Sequence, residues 1–144
     1  MSKKSREGKD KQAPIDLKSG SFIFPDGSKY DGEYREVDGA IFRHGQGTYE
    51  CVQTQTVYTG QWELDKMCGK GKIEFVSGDS YDGMWKDNQY YGQGVYTWAT
   101  TERLAGEWVE NCVQGLGVYY DEEKIKWTGE ISKGAASIMV PRIE

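Results

Sequence analysis

The sequence predicts an all-β protein: a single-layer, elongated, twisted antiparallel sheet built solenoid-like from tandem β-hairpins. Three observations predict it. Tyrosine, tryptophan and glycine are abundant (10, 5 and 19 of 144 residues). Rings and glycines alternate with a period of two, as on one face of a strand. The alternation also recurs at a fixed interval, the signature of a repeat architecture.

The stretch from Tyr81 to Trp98 is the clearest unit. Tyr81, Gly83 and Trp85 share one face of a strand, and Gly92, Gly94, Tyr96 and Trp98 share one face of the next. A glycine lets a neighbouring ring lie flat over its backbone, so ring beside glycine becomes a packing rule. Lys86 to Tyr91 is the polar turn, with Asn88 where a left-handed residue is needed. Leading positions recur at Tyr30, Tyr58, Tyr81, Leu104 and Trp127, and from Tyr58 onward the interval is 23 residues. The first interval is 28 residues, which places four extra residues in the first hairpin turn and one in the connection after it.

Each leading position opens a ring-x-Gly-x-ring motif or a variant of it, with glycines Gly32, Gly60, Gly83, Gly106 and Gly129. Four Gly-x-Gly pairs follow: Gly45 and Gly47, Gly69 and Gly71, Gly92 and Gly94, Gly115 and Gly117. These glycines are read as structural. The pattern resembles the MORN repeat family (membrane occupation and recognition nexus), whose unit is Tyr-x-Gly-x-Trp, a turn glycine, then Gly-x-Gly. The resemblance covers residues 20 to 134. Leu104 replaces a leading ring, Tyr34 and Ile131 replace Trp, and Asp65, Asn88 and Asn111 stand where a turn glycine is common.

Taken in order, residues 1–17 read as a disordered basic arm. Lys3, Lys4, Arg6, Lys9 and Lys11 against Glu7 and Asp10 give its first 14 residues a charge of +3, which leaves −8 of the net −5 for the rest. Residues 18–134 are the repeat sheet, opening with a half repeat at 18–29 in which Gly20 and Phe22 fall in the register of Gly94 and Tyr96. Pro25-Asp-Gly-Ser28 and Val76-Ser-Gly-Asp79 are equivalent turns. About ten strands at roughly 4.8 Å each make a rod on the order of 45 to 50 Å. A final half repeat begins at Trp127. Residues 135–144 are apolar and read as a cap over the last strand edge or a segment docked into a partner.

Signals for chemistry are sparse. None of the Gly-x-Gly pairs extends to Gly-x-Gly-x-x-Gly, since Glu50, Glu74, Thr97 and Tyr120 occupy the last position. His44 is the single histidine, read as a solvated residue of the inserted turn, and Cys51, Cys68 and Cys112 lack metal or disulfide spacing. The sequence therefore predicts no enzyme, no cofactor and no metal. A repeat region at −8 repels a phosphate backbone, which argues against nucleic acid. No signal-peptide core, apolar span or lipidation signal is visible, so a soluble, cytoplasmic protein is expected.

The expected function is a structural adaptor that binds another protein's helix or strand lying on the sheet. Tyr58, Trp62, Tyr81, Trp85, Tyr96, Trp98 and Trp108 are candidate contacts, with Ile138, Met139 and Val140 in the tail. The family resemblance implies a ciliary axonemal or other cytoskeletal assembly. The alternative it implies is a membrane-associated module that binds anionic phospholipid or acts in vesicle or phagosome traffic. With only the short basic arm favouring anionic lipid, that contact is expected to be weak and salt-sensitive.

Overall fold

The computed structural model describes residues 15–132 and 135–141. Residues 1–14 of the predicted arm therefore lie outside the described residues. Among the described residues eleven strands form one sheet: β1 Lys18–Ile23, β2 Lys29–Val37, β3 Ala40–Cys51, β4 Thr56–Glu63, β5 Lys66–Glu74, β6 Ser80–Lys86, β7 Gln89–Thr97, β8 Arg103–Val109, β9 Cys112–Tyr120, β10 Lys126–Ser132 and β11 Ala135–Pro141. Each pairs antiparallel with the next, so spatial order equals chain order. The expected all-β sheet of consecutive hairpins is what the chain forms. The expected count was one strand short, because Ala135–Pro141 adds β11 against β10.

Both margins of the sheet are built from repeated turns. On one margin the hairpins close through two residues with positive φ: Asp38 and Gly39 (51° and 80°), Leu64 and Asp65 (44° and 69°), Asp87 and Asn88 (48° and 66°), and Glu110 and Asn111 (49° and 67°). Two left-handed residues make a type I′ turn, whose twist matches that of the strands. On the other margin Gly27 N–H donates to Phe24 C=O and Phe24 N–H to Ser28 C=O, and Gly78, Phe75 and Asp79 repeat the arrangement. Pro25–Ser28 and Val76–Asp79 are thus equivalent, as expected. The connection at 52–55 is four residues long against five at 24–28 and 75–79, because Cys51 and Thr56 pair as an added rung; the one extra residue expected in the connection is thus taken up by the strands, and the chain turns at Gln55, φ 54°.

The first hairpin requires a correction. Its turn is as short as the others, and the four extra residues lie in its strands instead. Gly32 pairs with Gly47 and Val37 with Ala40, whereas Gly83 pairs with Gly94 and Lys86 with Gln89. Each arm is therefore two residues longer. An even extension keeps every side chain on its own face, so the longer hairpin still matches its neighbour. His44 is accordingly not a loop residue: it lies in β3, where its Nδ1 accepts a hydrogen bond from Leu64 N–H at 3.2 Å.

The core lies on one face of the sheet. Tyr30, Tyr58, Trp62, Tyr81, Trp85, Trp108, Val113 and Ile131 are buried. Tyr30, Trp62, Tyr58, Trp85, Tyr81 and Trp108 interlock in that order, each ring edge-on to the next with centroids 4.9–5.8 Å apart. Edge-to-face geometry satisfies the ring quadrupoles. The polar ends are also paired. Tyr58 and Tyr81 hydroxyls donate to the Gln61 and Met84 carbonyls at 2.9 Å, and Tyr30 does the same to Glu33. Trp62, Trp85 and Trp108 indoles donate to the Gly47, Gly71 and Gly94 carbonyls at 2.9–3.1 Å.

The two glycines of each pair have different duties. The first, as at Gly69 and Gly92 (φ 60° and 71°), takes a left-handed conformation where β5 and β7 bulge against the preceding strand. The second lies beneath a tyrosine in the first three pairs, where a Cβ on Gly71 or Gly94 would sink into the Tyr58 or Tyr81 ring, and beneath Ile131 in the fourth. The predicted rule of ring over glycine therefore holds in atomic detail for the first three pairs.

Candidate functional site

The same face carries the candidate interaction surface. One cross-strand row follows the pairing from Phe22 through Tyr30, Tyr49, Tyr58, Ile73, Tyr81, Tyr96, Leu104 and Tyr119 to Trp127. Tyr30, Tyr58 and Tyr81 are buried, while Phe22, Tyr49, Ile73, Tyr96 and Tyr119 are half-buried. One such side chain stands at every second strand, at intervals of roughly 9.6 Å.

Tyr58, Trp62, Tyr81, Trp85 and Trp108 are at most 5% exposed. Folding uses their surface, and a partner lying on the sheet meets them only at their edges. Tyr96 and Trp98 remain half-buried, with ring centroids 4.9 Å apart. In β11, Ile138 and Met139 pair with Glu130 and Gly129, Met139 is half-buried and Val140 is 56% exposed. They stand at the far edge of the sheet, four strands from Tyr96. The structure thus brings the tryptophans and tyrosines into one face and leaves the tail apart from them.

Where the sequence departs from the repeat, the face opens. Leu104 and Ile131 occupy positions that are rings in earlier hairpins, Val113 stands where the preceding hairpin has Tyr90, and a cleft of about 260 Å³ lies among Tyr90, Tyr96, Trp98, Leu104 and Ile131. A second cleft of about 280 Å³ lies over Tyr49, Tyr58, Trp62 and Met67. Arg43 sits beside it, its guanidinium 4.3 Å from the Trp62 ring centre and 4.7 Å from that of Tyr49, with Nε 3.1 Å from Asp65 Oδ1. A cation over ring faces gains from their quadrupoles.

Arg43, Tyr90 and Asp79 were not singled out from the sequence. Tyr90 stacks on Tyr81 with centroids 3.9 Å apart, and Asp79 accepts the Tyr96 hydroxyl at 2.7 Å. The signal for two of them was positional. Arg43, Met67, Tyr90 and Val113 all stand four residues before the second glycine of a pair, on the ring-bearing face.

The turns hold neighbouring hairpins together as well as reversing the chain. Asp65, Asn88 and Asn111 each accept a side-chain hydrogen bond from the backbone N–H of Arg43, Met67 and Tyr90, at 2.7–2.8 Å, while their own N–H groups donate to the carbonyls of those same residues. A turn glycine could make only the backbone half of this stitch.

The surface is electrostatically quiet where the rings are buried. Burial pushes the Tyr30 and Tyr90 phenols up to about 12. It raises Tyr58 and Tyr81 too, and Tyr96 is raised by burial and by its bond to the Asp79 carboxylate. These hydroxyls are neutral donors at physiological pH, suited to packing and hydrogen bonding rather than proton transfer. Among the described residues no group of three or more His, Cys, Asp or Glu side chains could hold a metal ion.

The MORN repeat family model matches residues 41–53, 58–80 and 81–103. The last matched stretch stops one residue before Leu104, where the aromatic pattern gives way. No curated protein matches the chain's sequence.

Proposed function

From a chain that carries MORN repeats, we propose a non-enzymatic scaffold that receives another protein's helix or extended segment along the ring row. MORN repeats in general mediate protein or membrane interactions. The observation that carries the protein-binding reading is the strip of Phe22, Tyr49, Ile73, Tyr96 and Tyr119, half-buried and open to solvent across the hairpins. Of these, Tyr49, Tyr96 and Tyr119 provide amphipathic contact area at small entropic cost. The proposed setting is cytoplasmic, in a ciliary axoneme or another cytoskeletal assembly, a reading supported by family resemblance. A finer kinship, with MORN repeat-containing protein 2, is supported only by the opening Phe22–Gly32, the half repeat from Trp127 and the short apolar tail.

The test is co-precipitation of the full chain from detergent-insoluble and membrane fractions, beside Tyr96→Ala/Trp98→Ala. Under this reading the parent retains defined proteins in the cytoskeletal pellet, and the double variant, still folded by circular dichroism, loses them. Flotation of the parent with anionic vesicles that survives removal of residues 1–14, with no protein captured, would sink it in favour of a lipid-binding module.

A further inference from the structure

The face opposite the rings changes character along the molecule. One cross-strand row on it is polar or charged at every strand from Ser21 in β1 to Asp82 in β6. It continues through β7 to β11 as Val95, Ala105, Val118, Thr128 and Val140. Leu116, 67% exposed, adds to the apolar area beside Val118. None of these side chains belongs to the buried cluster or to the half-buried side chains packed against it. A sheet with one solvated face alternates apolar with polar, and apolar residues on both faces mark strands covered on both.

Charge identifies what covers it. In β8 Ala105 stands between Arg103 and Glu107, and in β10 Thr128 stands between Lys126 and Glu130. Because these two strands run in the same direction, cations border one side of the apolar row and carboxylates the other. Arg103 is held on this face by the Tyr120 ring, 4.8 Å from its guanidinium, and Glu107 by a 2.8 Å hydrogen bond from Gln93. A half-turn about an axis along the row sets Arg103 of each copy over Glu107 of the other, and Lys126 over Glu130. The same operation sets Val95, Val118 and Val140 on their own counterparts; it would set Asp82 and Lys72 on theirs too, so the two sheets must splay apart from β6 towards β1. A half-turn about an axis along the strands would instead set cation on cation.

The geometry points to a second copy of this chain as the occupant: a back-to-back, two-fold dimer through β7 to β11, with the ring faces outward. The inference goes beyond the scaffold reading and does not depend on it. Side chains as small as Ala, Val and Thr suit aligned sheets packed about 10 Å apart. Five strands at about 4.8 Å and five residues at about 3.4 Å cover on the order of 400 Å² per copy. That is roughly half of a standard interface, so the dimer is weak and, with exposed charge pairs at its rim, salt-sensitive.

Sedimentation equilibrium of the full chain from micromolar to millimolar concentration tests this. The expected result is a monomer–dimer equilibrium weakened by salt. Arg103→Glu and Glu107→Arg singly should each weaken it about tenfold, and Arg103→Glu/Glu107→Arg together should restore it. Having two single variants guards against one that fails to fold, checked by circular dichroism. A chain monomeric throughout the range overturns the proposal. So does a dimer indifferent to both single variants, or one that the double variant fails to restore.

Discussion

The middle hairpins and the last one solve the same packing problem with different materials. From Tyr58 to Trp108 each rung is a tyrosine and a tryptophan set edge to face, and each ring also hydrogen-bonds a backbone carbonyl. Towards the end of the sheet Leu104 and Ile131 take those places, with Val113 packed beside them. They fill space but carry no polar handle to fix their orientation. The glycine beneath shows the difference: a Cβ on Gly94 would meet the rigid Tyr81 ring, whereas one on Gly117 would meet the movable end of Ile131. Aromatic rungs specify position, and aliphatic rungs only exclude water.

Removing a rung should break the comparison most sharply. Trp85→Ala deletes contacts to both Tyr58 and Tyr81 together with the bond to Gly71, and should cost about 3–5 kcal/mol. Ile131→Ala, at the end of the stack, should fall at the low end of the ~2–5 kcal/mol range for an aliphatic deletion. Urea midpoints of both variants check the order, and a Trp85→Ala chain as stable as the parent would mean that the rings are not the core. A smaller effect comes from below the rungs. Gly94→Ala should cost about 1–3 kcal/mol by overpacking, more than Gly117→Ala, where Ile131 can shift its terminal methyl. Equal thermal midpoints for the two would deny the distinction between rigid and movable rungs.

Alkaline titration gives the mildest probe. Burial raises the Tyr30 and Tyr90 phenols to about 12 from about 10 in an unfolded chain. The folded state therefore keeps protons that the unfolded state releases. Their contribution is complete below pH ~10 and is lost as pH rises towards 12. The urea midpoint should fall across that window, with phenolate absorbance from the buried rings appearing as the sheet melts. Leu104, Val113 and Ile131 contribute nothing to this loss, so a flat midpoint would contradict the part assigned to the buried phenols.

Much of this arrangement was legible because it depends on local pattern. Period-two alternation located the strands, and the 23-residue interval located the hairpins. Asn88 announced its left-handed backbone, although the turn read over Lys86 to Tyr91 is only Asp87 and Asn88, with Tyr90 and Tyr91 already in β7. The first hairpin shows where such reading stops. Counting finds four extra residues between Tyr30 and Gly45, but the same count fits a long turn or two longer arms; only Asp38-Gly39 as an adequate type I′ turn distinguishes them. The cleft beside Trp98 was equally hidden, because a hollow depends on what Leu104 and Ile131, in separate strands, leave unfilled. The stitches made by Asp65, Asn88 and Asn111 join residues 21 or 22 positions apart. In the sequence those residues register only as missing glycines.

Because every strand pairs only with its predecessor and successor in the chain, the sheet has no closure condition to satisfy. A barrel that gains a hairpin must change its tilt and shear, but this sheet simply becomes longer. One more 23-residue unit adds about 9.6 Å of length and one more half-buried side chain to the row. The architecture works as a molecular ruler, graduated in hairpins.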